Sequence, residues 1–289
     1  VVCCMLHMVL QEISSSKCFG GQQKVYKHES YTVNCAMKFS VYLPPTYDTL
    51  ANLPVVFFLQ GLTCTEQNFI IKSGAQRTAA RLGLILVSPD TSPRGCNIPG
   101  EDDSYDFGSG AGFYVNATQG PWSAHYHMYD YVTKELPDLI EKNFKVLPGK
   151  YGLMGHSMGG HGALIVGLRE ADRFVSVSAF APICHSSVSP WGIKAFTGYL
   201  GADADWSMYD AVELIIKHKK RFARTPLIDQ GDQDEWLEKQ LMPSDLEKVC
   251  AAVGQDLTLR YQKGYDHSYF FISTFMEDHL NFHAKNLSE

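Results

Sequence analysis

The sequence predicts an α/β fold, a mostly parallel central sheet with helices on both faces. Two observations carry this. "PVVFFLQ" (54–60) and "LGLILVSP" (82–89) are continuous apolar runs of strand length, the pattern of strands covered on both faces in a parallel sheet. Between them "IIKSGAQRTAARLG" (70–83) has helix-forming composition, which makes a strand–helix–strand unit. The alternation continues downstream. "YGLMG" (151–155), "FVSVSAFAP" (174–182), "TPLIDQG" (225–231) and "LTLRYQ" (257–262) read as strands, with helical segments between most of them.

Nearer the start, "MKFSVYLP" (37–44) places Met37, Phe39, Val41 and Leu43 on one face. That spacing predicts a half-buried strand, ended by Pro44-Pro45. The polar, Gly-rich stretch 91–122 predicts a long loop, of the kind that is usually functional or disordered. Its aromatics Tyr105, Phe107, Phe113, Tyr114 and Trp122 argue for order. "YHMYDYVTKELPDLIEKNF" (126–144) reads as a helix that Pro137 kinks or divides. With no repeat or linker, residues 8–289 are expected to form one domain. Val1–His7 reads as an extension outside it, with Met8 a plausible start.

The chain has 289 residues, 45% of them apolar, and a formal net charge of −6. That is an ordinary globular composition. No Lys/Arg stripe with interleaved aromatics occurs, which disfavours nucleic acid as a partner. The longest apolar runs are too short to span a bilayer. The first residues lack the basic region and small-residue cleavage site of a signal peptide, and the final "HAKNLSE" is no sorting address. A cytoplasmic location is therefore expected. The eight cysteines form no disulfide framework and read as mostly reduced thiols. His and Cys never cluster at zinc-ligand spacing, so neither metal nor cofactor is expected.

Chemistry concentrates at "GHSMGGHGALIVGL" (155–168), a Gly-x-Ser-x-Gly pattern. The pattern alone is weak, but a short strand leads in and a small-residue helix leads out. A nucleophile elbow needs this context, because its serine sits at a strained strand-to-helix turn. Gly155 and Gly159 would remove clashing Cβ atoms there. Gly160 and Gly162 would let the helix approach the sheet. Ser157 would then stand at a helix N-terminus that favours developing negative charge. The fold class narrows to the α/β-hydrolase fold, in which the chain order is Ser, acid, His.

A serine hydroxyl needs a base. His161 shares the serine's helix, and His218 lies in the basic "IIKHKKRF" and reads as solvated. His279 and His283 are i, i+4 on a C-terminal helix and read as packed or exposed. His185, in a Ser-rich loop, stays open. His267, in "QKGYDHSYFF", sits in a glycine-containing loop after the last strand, where a triad histidine belongs. The acid should follow the penultimate strand. Asp234, three residues past Gly231, is favoured, and Asp232 is the alternative. Asp229 (still in its strand) and Asp266 (adjacent to His267) read as solvated carboxylates or caps. The developing oxyanion needs two backbone donors. The N–H groups of Met158, after the nucleophile, and of Leu62, in "QGLTC", are the candidates. Cys64, two residues past Leu62, is expected to line or closely back the site, against the alternative of an inert packed thiol. Arg94, on the long loop, either offers a carboxylate fork or forms a structural ion pair.

Long motifs resemble the S-formylglutathione hydrolase (esterase D) family of serine hydrolases. They include "GLTCTEQNFI" (61–70), "SPDTSPRGCNIPGE" (88–101), "SYDFGSGAGFYVNAT" (104–118), "GHSMGGHGAL" (155–164), "PWGIKAF" (190–196), "LIDQG" (227–231) and "GYDHSYFFI" (264–272). The resemblance runs from about Ser16 to His283. It implies a cofactor-free thioesterase that cleaves S-formylglutathione to glutathione and formate in formaldehyde detoxification, with Ser157, Asp234 and His267 as triad and Leu62 and Met158 as oxyanion donors. It also implies Trp191 beside a small acyl pocket and a homodimer. Arg94 would be a candidate partner for a glutathione carboxylate. Gln60 and Trp236 depart from the family's usual Ser and Phe, and Val1–His7 has no counterpart. A general small-acyl carboxylesterase is the alternative enzyme, and a catalytically dead binding module the alternative class.

Overall fold

The computed structural model describes residues 10–288. The Val1–His7 extension and the Met8 start expected from sequence lie outside the described residues. The strands are β1 (Gln11–Cys18), β2 (Gly21–Ser30), β3 (Cys35–Leu43), β4 (Val55–Leu59), β5 (Ile85–Pro89), β6 (Tyr151–His156), β7 (Phe174–Phe180), β8 (Leu227–Gly231) and β9 (Thr258–Gln262). They form one sheet in the order β1-β2-β3-β5-β4-β6-β7-β8-β9. The first three strands and the β3–β5 pair are antiparallel, and every later pairing is parallel. The strands β4, β5, β6 and β8 are buried at every residue, as the apolar runs of β4 and β5 require, while β8 also buries the polar Asp229 and Gln230.

Sequence reasoning did not resolve β1 and β2. Their residues are mostly polar, and β1 is an exposed edge. The local signal is the turn between them. Phe19 and Gly20 both take positive φ (46° and 78°), the two-residue hairpin geometry whose twist matches paired strands. The segment expected as half-buried, 37–44, is buried on both faces beyond Lys38. It lies inside the sheet, between β2 and β5.

The helix expected at 70–83 is two, α1 (Glu66–Lys72) and α2 (Ala75–Leu82), separated at Gly74 with φ 68°. Thr65 and Asn68 form a capping box that starts α1 four residues earlier than expected. The expected helix at 126–144 begins as α3 (Met128–Asp130), widens into a π-helical turn at Tyr131–Glu135 and continues as α4 (Leu136–Asn143). Pro137 lacks the N–H that would reach the Thr133 carbonyl, and Arg173 Nη1 donates to that oxygen at 2.8 Å instead.

The remaining helices are α5 (Met158–Arg169), α6 (Pro190–Leu200), α7 (Ala211–Ile216), α8 (Pro243–Val253) and α9 (Tyr269–Ser288). Strand alternation assigns them to faces. On β6, a Cβ at Gly152 would meet His283 of α9, whereas one at Gly155 would overlap the Gly159 carbonyl of α5. So α9, with α2 against it, covers one face, and α5, with α7 packed on it, covers the other. The α9 stripe Phe271, Ile272, Met276, His279, Leu280 and His283 is buried.

Candidate active site

The site is built at the C-terminal ends of the parallel strands. Ser157 follows β6 and precedes α5, with φ 57° and ψ −118°, a conformation that side chains other than glycine rarely adopt. Its N–H donates to the Phe180 carbonyl at 3.0 Å, and its carbonyl accepts from His161 N at 2.9 Å. The turn is possible because a Cβ at Gly155 would overlap Gly159 O, and one at Gly159 would overlap Leu59 O. Gly162 lets α5 approach Leu59 of β4, as expected, and also makes room for the Tyr114 ring, whereas Gly160 serves a different contact, with Pro182.

His267 lies in the loop between β9 and α9. Its Nδ1 is 2.6 Å from Asp234 Oδ2. Asp234 is held in place by Gln230 Nε2 donating to Oδ2 at 3.1 Å and by the Trp236 N–H donating to Oδ1 at 2.9 Å. A carboxylate only accepts, so Nδ1 carries the hydrogen and Nε2 is left as the proton acceptor. Ser157 and His267 line one cavity of about 340 Å³. No hydrogen bond joins the serine hydroxyl to the imidazole among the described residues; such contacts often tighten only when substrate binds.

The other carboxylates and histidines sort differently. Asp232 is exposed and accepts from Gly264 N, and Asp266 accepts from Ser268 N. Asp229 is neither solvated nor a cap, contrary to expectation. It is fully buried, paired with Arg260 and with His279 Nε2 at 3.1 Å. Burial raises its pKa, but the hydrogen bonds from His279 and Arg260 outweigh that and hold it down at about 2. His161 is buried between Phe113 O and Ser186 Oγ. His283 bridges Ser176 and Ser178, and His185 pairs with Asp245. His218 is half-buried against Ser207 rather than solvated.

Leu62 also lines the cavity, and Met158 is the first residue of α5. Among the described residues, no protein acceptor pairs with either backbone N–H. The long loop braces this corner, since Tyr114 Oη donates to Gln60 O at 2.9 Å. Gln60 in turn accepts from Phe69 N at 3.0 Å and donates to Ser88 Oγ at 3.0 Å, so it ties α1 to the ends of β4 and β5.

Cys64 lines the cavity, and burial pushes its thiol up to about 11. Trp191 packs against Trp236, with ring centroids 4.7 Å apart and planes tilted by 46°, and donates through Nε1 to Tyr105 Oη at 3.1 Å. Arg94 takes the structural alternative. Its guanidinium forks onto Asp90 at 2.8 and 3.0 Å and reaches Cys64 O at 3.2 Å. The fork that would have met a substrate carboxylate is filled, and Arg94 is not among the cavity's walls. Sequence reasoning missed Asn68, Lys72, Tyr105, His156, Ser268 and Tyr269, all of which line the cavity. His156 had a signal, lying inside the Gly-x-Ser-x-Gly pattern. Burial and the nearby His267 hold its pKa well below the usual range, with the two rings 4.5 Å apart.

The esterase family model, described as "Putative esterase", matches residues 30–282. The S-formylglutathione hydrolase of Rattus norvegicus is 54% identical over 283 residues, covering 97% of this chain and 100% of its own length. The chain belongs to the S-formylglutathione hydrolase family. The Arabidopsis thaliana S-formylglutathione hydrolase is 55% identical over 280 residues, covering 96% of this chain and 98% of its own. The solved S-formylglutathione hydrolase of Agrobacterium tumefaciens is 48% identical with a TM-score of 0.93, covering 96% of this chain and 99% of that one. This member of the S-formylglutathione hydrolase family therefore has the α/β-hydrolase fold expected from its elbow. Among its described residues no helix is long and apolar enough to cross a membrane.

Proposed function

We propose that this chain hydrolyses S-formylglutathione to glutathione and formate, a step in formaldehyde detoxification. The observation that carries the reading is the Asp234–His267 pair at 2.6 Å, facing the same cavity as a serine strained at an elbow. Ser157 Oγ attacks the formyl carbon while His267 Nε2 takes its proton. The carbonyl electrons move onto oxygen, where the N–H groups of Leu62 and Met158 receive the charge. The C–S bond then breaks, and His267 returns the proton to the departing thiolate. Asp234 orients the imidazole and stabilises its charged form. Water, deprotonated by His267, attacks the formyl-serine; the acyl–Oγ bond breaks, His267 returns the proton to Ser157 Oγ, and formate is released. The mechanism needs no cofactor. Trp191 and Cys64 wall the acyl end, which suits a group with no carbon beyond its carbonyl.

The same reading takes residues 8–289 as one domain, located in the cytoplasm and working as a homodimer. Free thiols at Cys18, Cys35, Cys64, Cys96, Cys184 and Cys250 suit a reducing compartment. Light scattering after size exclusion reads the dimer. The function is tested by kcat/KM on S-formylglutathione against short aryl esters. A strong preference for the thioester supports it, and equal values leave a general carboxylesterase.

A further inference from the structure

The catalytic cavity has aromatic walls on one side and adjoins a second cavity on another. On the aromatic side Trp191 and Trp236 pack together, and Trp191 is pinned by Tyr105. On the other side the walls Lys72, Ser268 and Tyr269 are shared with a second cavity of about 500 Å³, which continues along Phe270 and Ser273. Phe270 is 84% exposed, an apolar ring left in solvent at the first turn of α9.

Charge is distributed unevenly along this groove. No Asp or Glu lines either cavity, and Lys72 is the one Lys or Arg among their walls. Among the described residues its ammonium has no carboxylate or hydrogen-bond partner. It stands 5.6 Å from the centre of the Tyr269 ring. Arg94, by contrast, is spent on Asp90. An unpaired cation at the junction of two cavities suits an anionic group carried by a ligand whose reacting end lies at Ser157.

We propose that the second cavity is the leaving-group subsite, and that Lys72 binds a carboxylate of the glutathionyl half while Tyr269 and Phe270 pack against its backbone. This rests on the function proposed above. A formyl group leaves little to recognise on the acyl side, so the thiol half must supply most of the binding. Glutathione carries two carboxylates against one ammonium, and Lys72 stands where the cavity at Ser157 adjoins the second one. Sequence reasoning placed this role on the long loop. The structure moves it to the C-terminus of α1.

The test compares S-formylglutathione with the neutral S-formyl-N-acetylcysteamine. Lys72→Gln is expected to lower the ratio of their kcat/KM values about fivefold, through KM, as for one partly exposed charge pair. Lys72→Glu should lower the ratio further, and Lys72→Arg should restore it. Raised salt should erode the wild-type ratio and leave that of Lys72→Gln nearly flat. A ratio that survives both Lys72→Gln and Lys72→Glu overturns the subsite, as does an equal fall on both substrates. The two readings fail differently. A wild type that does not prefer S-formylglutathione removes the function. A wild-type preference that the Lys72 variants keep removes only the subsite.

Discussion

His267 Nδ1 lies 2.6 Å from Asp234 Oδ2 across 33 residues of chain. The two side chains come from loops after the adjacent parallel strands β9 and β8, so sheet order brings them together. Asp234 is fixed by two further donors, Gln230 Nε2 and the Trp236 N–H. Asp234→Asn should keep the fold and lower kcat by about 10³–10⁴-fold through the wrong imidazole tautomer. Asp232→Asn, at an exposed loop position, should stay within about twofold of wild type. Steady-state kinetics of the two variants reads this, and the reverse ranking would move the acid to Asp232.

Two buried histidines predict acid sensitivity. Burial pushes His161 down to about 4 and His283 down to about 3, from an ordinary 6.5. The unfolded chain therefore binds more protons between pH 6.5 and those values. Stability should fall as pH drops through this window, by roughly 2 kcal/mol per histidine at pH 5 relative to pH 7. Urea midpoints at the two pH values measure it. His283→Gln, which loses the Ser176 and Ser178 contacts, should be less stable at pH 7 but decline less steeply. A wild-type midpoint unchanged from pH 7 to 5 would refute the argument.

Cys64 lines the cavity with a thiol that burial holds at about 11. Thiolate is the reacting form. Inactivation by N-ethylmaleimide at neutral pH should thus run about a hundredfold slower than for an ordinary exposed thiol, and speed up about tenfold per pH unit. Cys64→Ser should abolish it while retaining most turnover. Equal sensitivity of wild type and variant would place the reactive thiol elsewhere.

The Trp191–Trp236 wall predicts a short acyl limit. Each added methylene against a tight wall costs about 1–3 kcal/mol in transition-state binding. Values of kcat/KM should fall steeply from formyl to acetyl to propionyl thioesters of glutathione, and Trp191→Ala should flatten the series. A flat wild-type series would contradict the small pocket.

How far the sequence reached follows from where each signal resides. The strands β4 and β5 were legible because burial on both faces leaves continuous apolar runs, while β9, a half-exposed edge strand, carries no such run. The elbow was legible because its glycines answer steric demands within five residues. The strands β1 and β2 were not, since an exposed antiparallel edge carries no apolar pattern, and only Phe19-Gly20 marks the hairpin. Pro137 marked an interruption of this helix, but its form, a π-turn with Arg173 on the freed Thr133 carbonyl, rests on a residue distant in sequence. Asp229 read as solvated because its partners Arg260 and His279 come from β9 and α9. The groove beyond Ser157 was illegible for the same reason. Lys72 ends α1 and Tyr269 begins α9, and only tertiary packing makes them one wall. Arg94 had a nearby partner in Asp90, four residues earlier, which sequence reasoning could weigh but not decide.

The central claim is that Ser157 performs nucleophilic catalysis on S-formylglutathione. The direct measurement is turnover of that thioester by wild type and by Ser157→Ala, both shown folded by circular dichroism. Wild type should release glutathione and formate in equal amounts. The variant should lose about 10⁴-fold or more in kcat, because a triad acts as a unit. Turnover by Ser157→Ala close to wild type would contradict the account.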